Sequence, residues 1–278
     1  MIIGLDHIVL LTHNISAATA SYETLLAQRP AWRTIADGVE TAIFTLANMS
    51  LELMAPSGDG EMARRVRARL DERGEDLASL CFRVEDIDRF QRRLKRLGLL
   101  PEDVTQSRST NAADGAALSW KRTRTAVETT HGVRLFFLEP SGERPVSKAT
   151  AGAPITGLDH VVIATDQPER AAALYGARLR LDMTLDLSRP DWGARLMFFR
   201  CGDLVVEIVH RLNDPSGGNP DRLWGLSWRV TDIEAAQTRL ISSGLDASEI
   251  RTGRRPGTRV FTVRTGTLGV PTLVIQPV

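Results

Sequence analysis

The chain has 278 residues, 42% of them hydrophobic and 25% charged, with a formal net charge of +1. That is enough apolar material for two ordinary domains, and the near-zero charge argues against bulk attraction to nucleic acid or to an anionic membrane surface. Two cysteines, Cys81 and Cys201, make no disulfide framework and fit a reducing compartment. The opening MIIGLDHIVLL has neither a basic start nor a cleavage site, and no apolar run approaches the roughly 20 residues of a membrane helix. A cytoplasmic location is therefore expected.

In chain order, the first element is an apolar, strand-like run, LDHIVLLTHNI (5–15), ended by turn formers. A helical pattern follows, SAATASYETLLA (16–27), with Ser16 at the expected N-cap. The apolar strand SLELMAP (50–56) closes this unit. The basic segment EMARRVRARLDERGED (61–76) reads as an amphipathic helix with a solvated face; no aromatic residues interleave with its charges to suggest nucleic acid. A second unit repeats the order: LASLCFRVEDI (77–87), a helix over 88–99 capped by Asp88, and the closing strand RLFFLEP (134–140). The stretch 141–157 is rich in Pro, Gly, Ser, Thr and Ala and has no apolar period.

Beyond it the pattern starts again. LDHVVIATDQP (158–168), a helix over 169–181 and LVVEIVH (204–210) form a third unit. WGLSWRVTDI (224–233), a helix over 234–245 capped by Asp232, and TLVIQP (272–277) form a fourth. Gly98 and Gly244 stand where helix C-terminal stops belong. The expected fold class is α+β: four βαβββ modules making two tandem domains with open curved sheets, 1–145 and 157–278, joined by a linker at 146–156.

LDHIVL and LDHVVI, LCFRVEDID and LSWRVTDIE, and the closing LELMAP and FFLEP resemble the strands of the vicinal oxygen chelate superfamily, which covers glyoxalases, bleomycin-resistance proteins and extradiol dioxygenases. The resemblance implies paired modules curled round a cavity, with His and Glu ligands from the first and last strands of each module. In register, the first-strand positions hold His7, Ser79, His160 and Gly225, and the last-strand positions hold Glu52, Phe136, Glu207 and Leu273. Each pair of modules thus keeps two ligands of four. The resemblance-based site is His7 and Glu52, as catalytic pair and metal ligands, with Glu139 as a third ligand; a second site is His160, Glu207 and His210. Glu139 and His210 each lie three residues from the register position. An unbulged strand points them to the other face, and a bulge would re-aim them. Modules one and three facing each other would instead assemble all four ligands.

Three readings of His7 and Glu52 stay open: a divalent site for Zn, Ni, Mn, Co or Fe, a metal-free acid/base pair, or a hydrogen-bonded remnant. Cys81 shares the parity of Ser79 and reads as cavity lining. Trp228 has the opposite parity and belongs with the helices. Arg195 is a candidate for a substrate carboxylate. No phosphate loop, nucleophile elbow or zinc-protease motif occurs in the sequence, so no nucleotide cofactor is expected. The implied function is a metal-assisted isomerase, epimerase or lyase acting on a small molecule with a carbonyl or hydroxyl group. The alternative is a metal-free ligand-binding or drug-sequestering protein. An extradiol dioxygenase ranks below both, because it needs two His and one carboxylate on one face. The expected partner is a small-molecule substrate, with no nucleic acid and no membrane; assembly as a homodimer is compatible with the sequence.

Overall fold

The computed structural model describes residues 1–213 and 218–277. The first half contains β1 (Ile2–Leu11), α1 (Ile15–Leu26), β2 (Gln28–Arg29), β3 (Trp32–Ala36), β4 (Val39–Thr45), β5 (Ser50–Pro56), α2 (Glu61–Arg73), β6 (Asp76–Val84), α3 (Ile87–Arg96), β7 (Thr105–Thr110), β8 (Ala117–Arg124) and β9 (Arg134–Pro140). After the two-residue β10 (Lys148–Ala149), the second half contains β11 (Gly157–Ala164), α4 (Pro168–Ala172), β12 (Asp182–Arg189), β13 (Ala194–Cys201), β14 (Leu204–Arg211), β15 (Arg222–Arg229), α5 (Ile233–Ser242), β16 (Arg251–Thr252), β17 (Arg259–Val263) and β18 (Thr272–Gln276).

Each half forms one eight-stranded mixed sheet. The orders are β3-β4-β5-β1-β6-β9-β8-β7 and β12-β13-β14-β11-β15-β18-β17-β16, the same topology twice. The modules join in sequence, β1 antiparallel to β6 and β11 antiparallel to β15. Modules one and three therefore do not share a sheet. The first sheet curls until its edges meet: the Ala112 N–H donates to the Arg33 carbonyl at 2.8 Å, and Trp32 Nε1 donates to Ser109 Oγ at 2.9 Å.

Strand alternation sorts the side chains. Ile8, Leu10, Leu51, Leu53, Leu80 and Phe82 are almost wholly buried on the helix side of the first sheet. Val161, Ile163, Val206, Ile208 and Trp228 do the same in the second, so Trp228 lies on the expected side. These faces form one core spanning both halves. Helices α1 and α5 meet between the sheets, where the Arg239 guanidinium donates to the Thr24 and Leu25 carbonyls. Tyr22 Oη adds a bond to the Thr267 carbonyl at 3.3 Å.

The N-caps follow one frame. Asn14, Asp86 and Asp232 each precede a buried Ile, and each side chain accepts a backbone N–H three residues on, at 3.0, 2.8 and 2.9 Å. Asp232 stands as expected. Asn14 and Asp86 displace Ser16 and Asp88, because the cap belongs to the last extended residue, two positions earlier. Helix α4 passes into a π-helical turn, Ala173–Arg178, that buries Leu174 and Tyr175.

Helix α2 is amphipathic, as expected, with its charged face in solvent. Its Ala63, Val66 and Leu70 pack on Val9, Leu11, Val39 and Ala78, the face of the first sheet turned away from the shared core. The segment between the halves is held rather than loose. The Ser147 N–H donates to the Thr45 carbonyl at 3.1 Å, β10 pairs with β2, and Gln28 Nε2 donates to the Ile155 carbonyl at 2.6 Å. No helix among the described residues is long and apolar enough to cross a membrane.

Candidate functional site

The hollow of the first sheet is the face opposite the shared core. His7 and Val9 of β1 share it with Ser50, Glu52 and Met54 of β5, because residues paired across a ladder lie on one face. His7 Nε2 lies 3.4 Å from Glu52 Oε2. Opposite His7 on β6 stands Cys81, while Ser79, the register position of the second module, stands opposite Val9.

Sequence parity alone would send Asp6 to the other face. The β1–β6 register slips by one between Leu5 and His7, which makes Asp6 the extra residue of a β-bulge. The bulge turns Asp6 back beside its neighbour, and Asp6 Oδ1 sits 2.7 Å from His7 Nδ1. Asp6 is fully buried, and two guanidinium groups bind it: Arg144 at 2.6 Å, from the segment between the halves, and Arg83 of β6 at 3.2 Å. Burial disfavours the Asp6 carboxylate, but His7 and the two arginines outweigh it and hold the group well below the usual carboxylate range. Burial also disfavours the imidazolium of His7. Cys81, the Asp6 hydrogen bond and the Glu52 charge overcome that and push the ring up to about 10. Burial pushes the Cys81 thiol up, against the pull of His7.

The second half repeats the design. The register slips between Leu158 and His160, and Asp159 is the extra residue. Asp159 Oδ1 lies 2.9 Å from His160 Nδ1, and Arg229 Nε donates to Asp159 Oδ2 at 3.0 Å. His160 Nε2 lies 3.1 Å from Glu207 Oε2 and 2.6 Å from Ser227 Oγ, the residue that matches Cys81. Burial raises the Glu207 carboxyl although His160 opposes it; Asp159 is lowered because His160 and Arg229 outweigh its burial.

The structure thus brings together His7 with Glu52 and His160 with Glu207, and it leaves two expected ligands elsewhere. Glu139 pairs across the ladder with Lys121 on the helix side, and its carboxylate accepts the Ile87 N–H of α3 at 2.8 Å. Gln276, its counterpart in the second half, does the same for Ile233 of α5 at 3.1 Å. His210 pairs with Arg195, one residue out of phase with Glu207; its Nδ1 lies 3.0 Å from the Thr165 carbonyl, and it lines a separate groove of about 650 Å³ with Glu169 and Arg195. Strand parity, unbroken by a bulge in β9 and β14, gives the physical reason for both. Arg195 already holds protein carboxylates, Asp186 through two hydrogen bonds at 2.8 and 2.9 Å and Glu169 at 2.6 Å. Phe136, Gly225 and Leu273 supply no donor side chain.

Asp6, His7 and Cys81 place ligand-type atoms within 4.8 Å of one another. Asp6 is engaged by two arginines and by Nδ1, which fixes the ring and presents Nε2 to the hollow, the way a carboxylate supports a metal-bound imidazole. Two donors each roughly 2 Å from one ion lie about 3 Å apart. The His7–Glu52 and His160–Glu207 separations fit that spacing, with the Cys81 thiol or the Ser227 hydroxyl as a weaker third donor. Sequence reasoning did not single out Asp6 or Asp159. The signal was present in the repeated Asp-His of LDHIVL and LDHVVI, but it means something only once the bulge is known.

Among known proteins, the profile of the glyoxalase-like domain matches residues 5–194, and that of the glyoxalase/bleomycin resistance protein/dioxygenase superfamily matches residues 159–262. An ethylmalonyl-CoA/methylmalonyl-CoA epimerase of Cereibacter sphaeroides is 30% identical over 98 residues, covering 31% of this chain and 70% of that protein. A variant of 4-hydroxymandelate synthase from Streptomyces coelicolor superposes with a TM-score of 0.71 at 13% identity, covering 99% of this chain and 93% of that one. A halotolerant catechol dioxygenase does so at 0.66 and 14%, covering 100% and 87%. These two share the fold. With a profile matched over more than half of its length, the chain belongs to the glyoxalase-like family within the vicinal oxygen chelate superfamily.

Proposed function

We propose that the protein is a metal-assisted isomerase, epimerase or lyase that moves a proton on a small molecule bearing a carbonyl or hydroxyl group. One observation carries this reading: the Asp–His–Glu array, built on a bulge, occurs twice with His Nε2 and Glu Oε2 within 3.4 Å in both halves. A carboxylate on Nδ1 fixes the tautomer and presents Nε2 to the hollow, as the ligand of a bound metal or, without one, as the atom that gives or takes the proton. Glu52 faces that nitrogen and serves as the second proton carrier. The relative in Cereibacter sphaeroides, an epimerase by name, supports the reaction class.

Zn, Ni, Mn, Co or Fe held by His7 Nε2 and Cys81 beside Glu52 would polarise a substrate oxygen and acidify the neighbouring C–H, with Glu52 as the group that takes the proton. Asp6 would then keep the ring oriented, and the apolar residues that α2 packs on the same face of the sheet would limit water. Protein purified without chelator is expected to carry stoichiometric metal that His7→Ala loses, and to exchange a substrate C–H for solvent deuterium. A second reading is a metal-free binding or sequestering protein. It is favoured by the small donor set, one His and one Glu per hollow with a thiol or hydroxyl beside them. Absence of metal from protein prepared this way, together with tight binding of an apolar ligand and no exchange, would replace the first reading by the second.

A further inference from the structure

The two hollows share the Asp–His–Glu array but differ in the charge of one wall. In the first half, Phe136 of β9 pairs with Cys81, the residue opposite His7. Arg124 of β8 pairs with Phe136, and Arg122 pairs with Leu138. Both arginines therefore stand on the His7 face. At the matching rungs of the second half, Thr262 pairs with Leu273 and Val260 with Ile275. Where one hollow has two guanidinium groups, the other has a hydroxyl and an isopropyl group.

The cations of the first hollow are not equivalent. Arg83 and Arg144 bind Asp6. Arg124 binds Glu102 at 2.6 Å, and Arg134, which pairs with Ser79 on the same face, is exposed to solvent. Arg122 is half-buried, and among the described residues its guanidinium has no hydrogen-bond or ion-pair partner. Partial burial of a cation without a counter-charge is unfavourable. The carboxylates on this face supply none: Glu52 faces His7, and Asp6 is doubly bound. From β1 through β6 and β9 to β8 is three ladder steps of roughly 4.8 Å each, about 14 Å round a curved sheet. A small molecule held by Arg122 at one end can present its reacting carbon to His7 and Glu52 at the other.

We infer that Arg122 anchors a carboxylate of the substrate, so that the first hollow takes small carboxylic acids. A planar guanidinium binds a carboxylate through two parallel hydrogen bonds, which fixes orientation as well as charge. The inference rests on the proton-transfer reading for its account of the other end of the substrate.

The test is calorimetric titration of the whole protein with 2-oxo acids of increasing chain length and with their methyl esters. At least one acid is expected to bind, with its ester at least about tenfold weaker. Arg122→Met should weaken the acid about 10- to 100-fold, as loss of a charged hydrogen-bond partner does, and leave the ester unchanged; Arg122→Lys should fall between. No binding by any acid, equal binding of acid and ester, or acid binding by Arg122→Met at the wild-type level would overturn the anchor. Should Arg122→Met not fold, Arg122→Lys and the acid–ester comparison decide alone. Competition by inorganic phosphate at the acid's own concentration would overturn the carboxylate assignment. Arg122-dependent binding without deuterium exchange would keep the anchor and remove the isomerase reading. Exchange on esters undiminished in Arg122→Met would do the reverse.

Discussion

Asp6 Oδ1 accepts a hydrogen bond from His7 Nδ1 at 2.7 Å, across a single peptide unit and only because a bulge sets both side chains on one face. The Asp6→Asn variant keeps an acceptor but removes the charge. The His7 ring should then titrate nearer its ordinary range, and activity or metal retention should fall about 10- to 100-fold. Histidine NMR titration beside a turnover assay reads both; an unshifted His7 with full activity would show that the ring needs no carboxylate.

Stability should depend on pH on the alkaline side. In metal-free protein the folded His7 titrates at about 10, above its unfolded value of roughly 6.5. The folded state thus binds the proton more tightly. The stabilisation is complete below about pH 6.5 and drains away as pH rises to about 10. Asp6, depressed in the folded state, acts the other way: its contribution is present above about pH 4 and is lost in strong acid. Urea midpoints measured from pH 6 to 10 should decline in wild type and decline less in His7→Gln. Parallel curves for the two proteins would contradict the assignment.

Glu139 is a helix cap and not a ligand. Glu139→Gln should leave stability within about 0.5 kcal/mol, since Gln276 performs the same task in the other half, whereas Glu139→Ala should cost about 1 kcal/mol. Neither change should alter metal content. Denaturant unfolding and metal analysis together test this, and a metal-depleted Glu139→Gln would reinstate the carboxylate as a ligand.

Cys81 and Ser227 occupy matching positions opposite the two histidines. Cys81→Ser should give the first hollow the chemistry of the second, with a hydroxyl on His7 Nε2 as Ser227 has on His160 at 2.6 Å. The variant should fold, because the volume changes little, and should retain metal less well at the first site. Native Cys81, buried and with its thiol pushed up by burial, should react with a disulfide reagent only after unfolding. Rapid modification in the folded protein would mean an open, ionised sulfur.

Much of this was legible in the sequence because two simple periods govern it. The family resemblance assigned His7 and Glu52 to one hollow, and strand alternation predicted that Glu139 and His210 would turn away without a bulge. The bulges that mattered lay elsewhere, at Asp6 and Asp159, where nothing in the apolar pattern marks an extra residue. Arg122 was hidden for a related reason. SWKRTR alternates one polar residue with another, so no hydrophobic rhythm says which of its side chains face inward. The N-caps of α1 and α3 were misplaced by two residues because Asn14 and Asp86 lie in segments that still look strand-like.

The apolar faces of both sheets and the α1–α5 contact make a single interior out of two repeated halves. Separating the two halves would break the Tyr22–Thr267 and Arg239–Leu25 hydrogen bonds and open the apolar core they share. Neither fragment should persist as a monomer, so any subdivision of labour between the hollows has to arise by point substitution in a chain inherited whole.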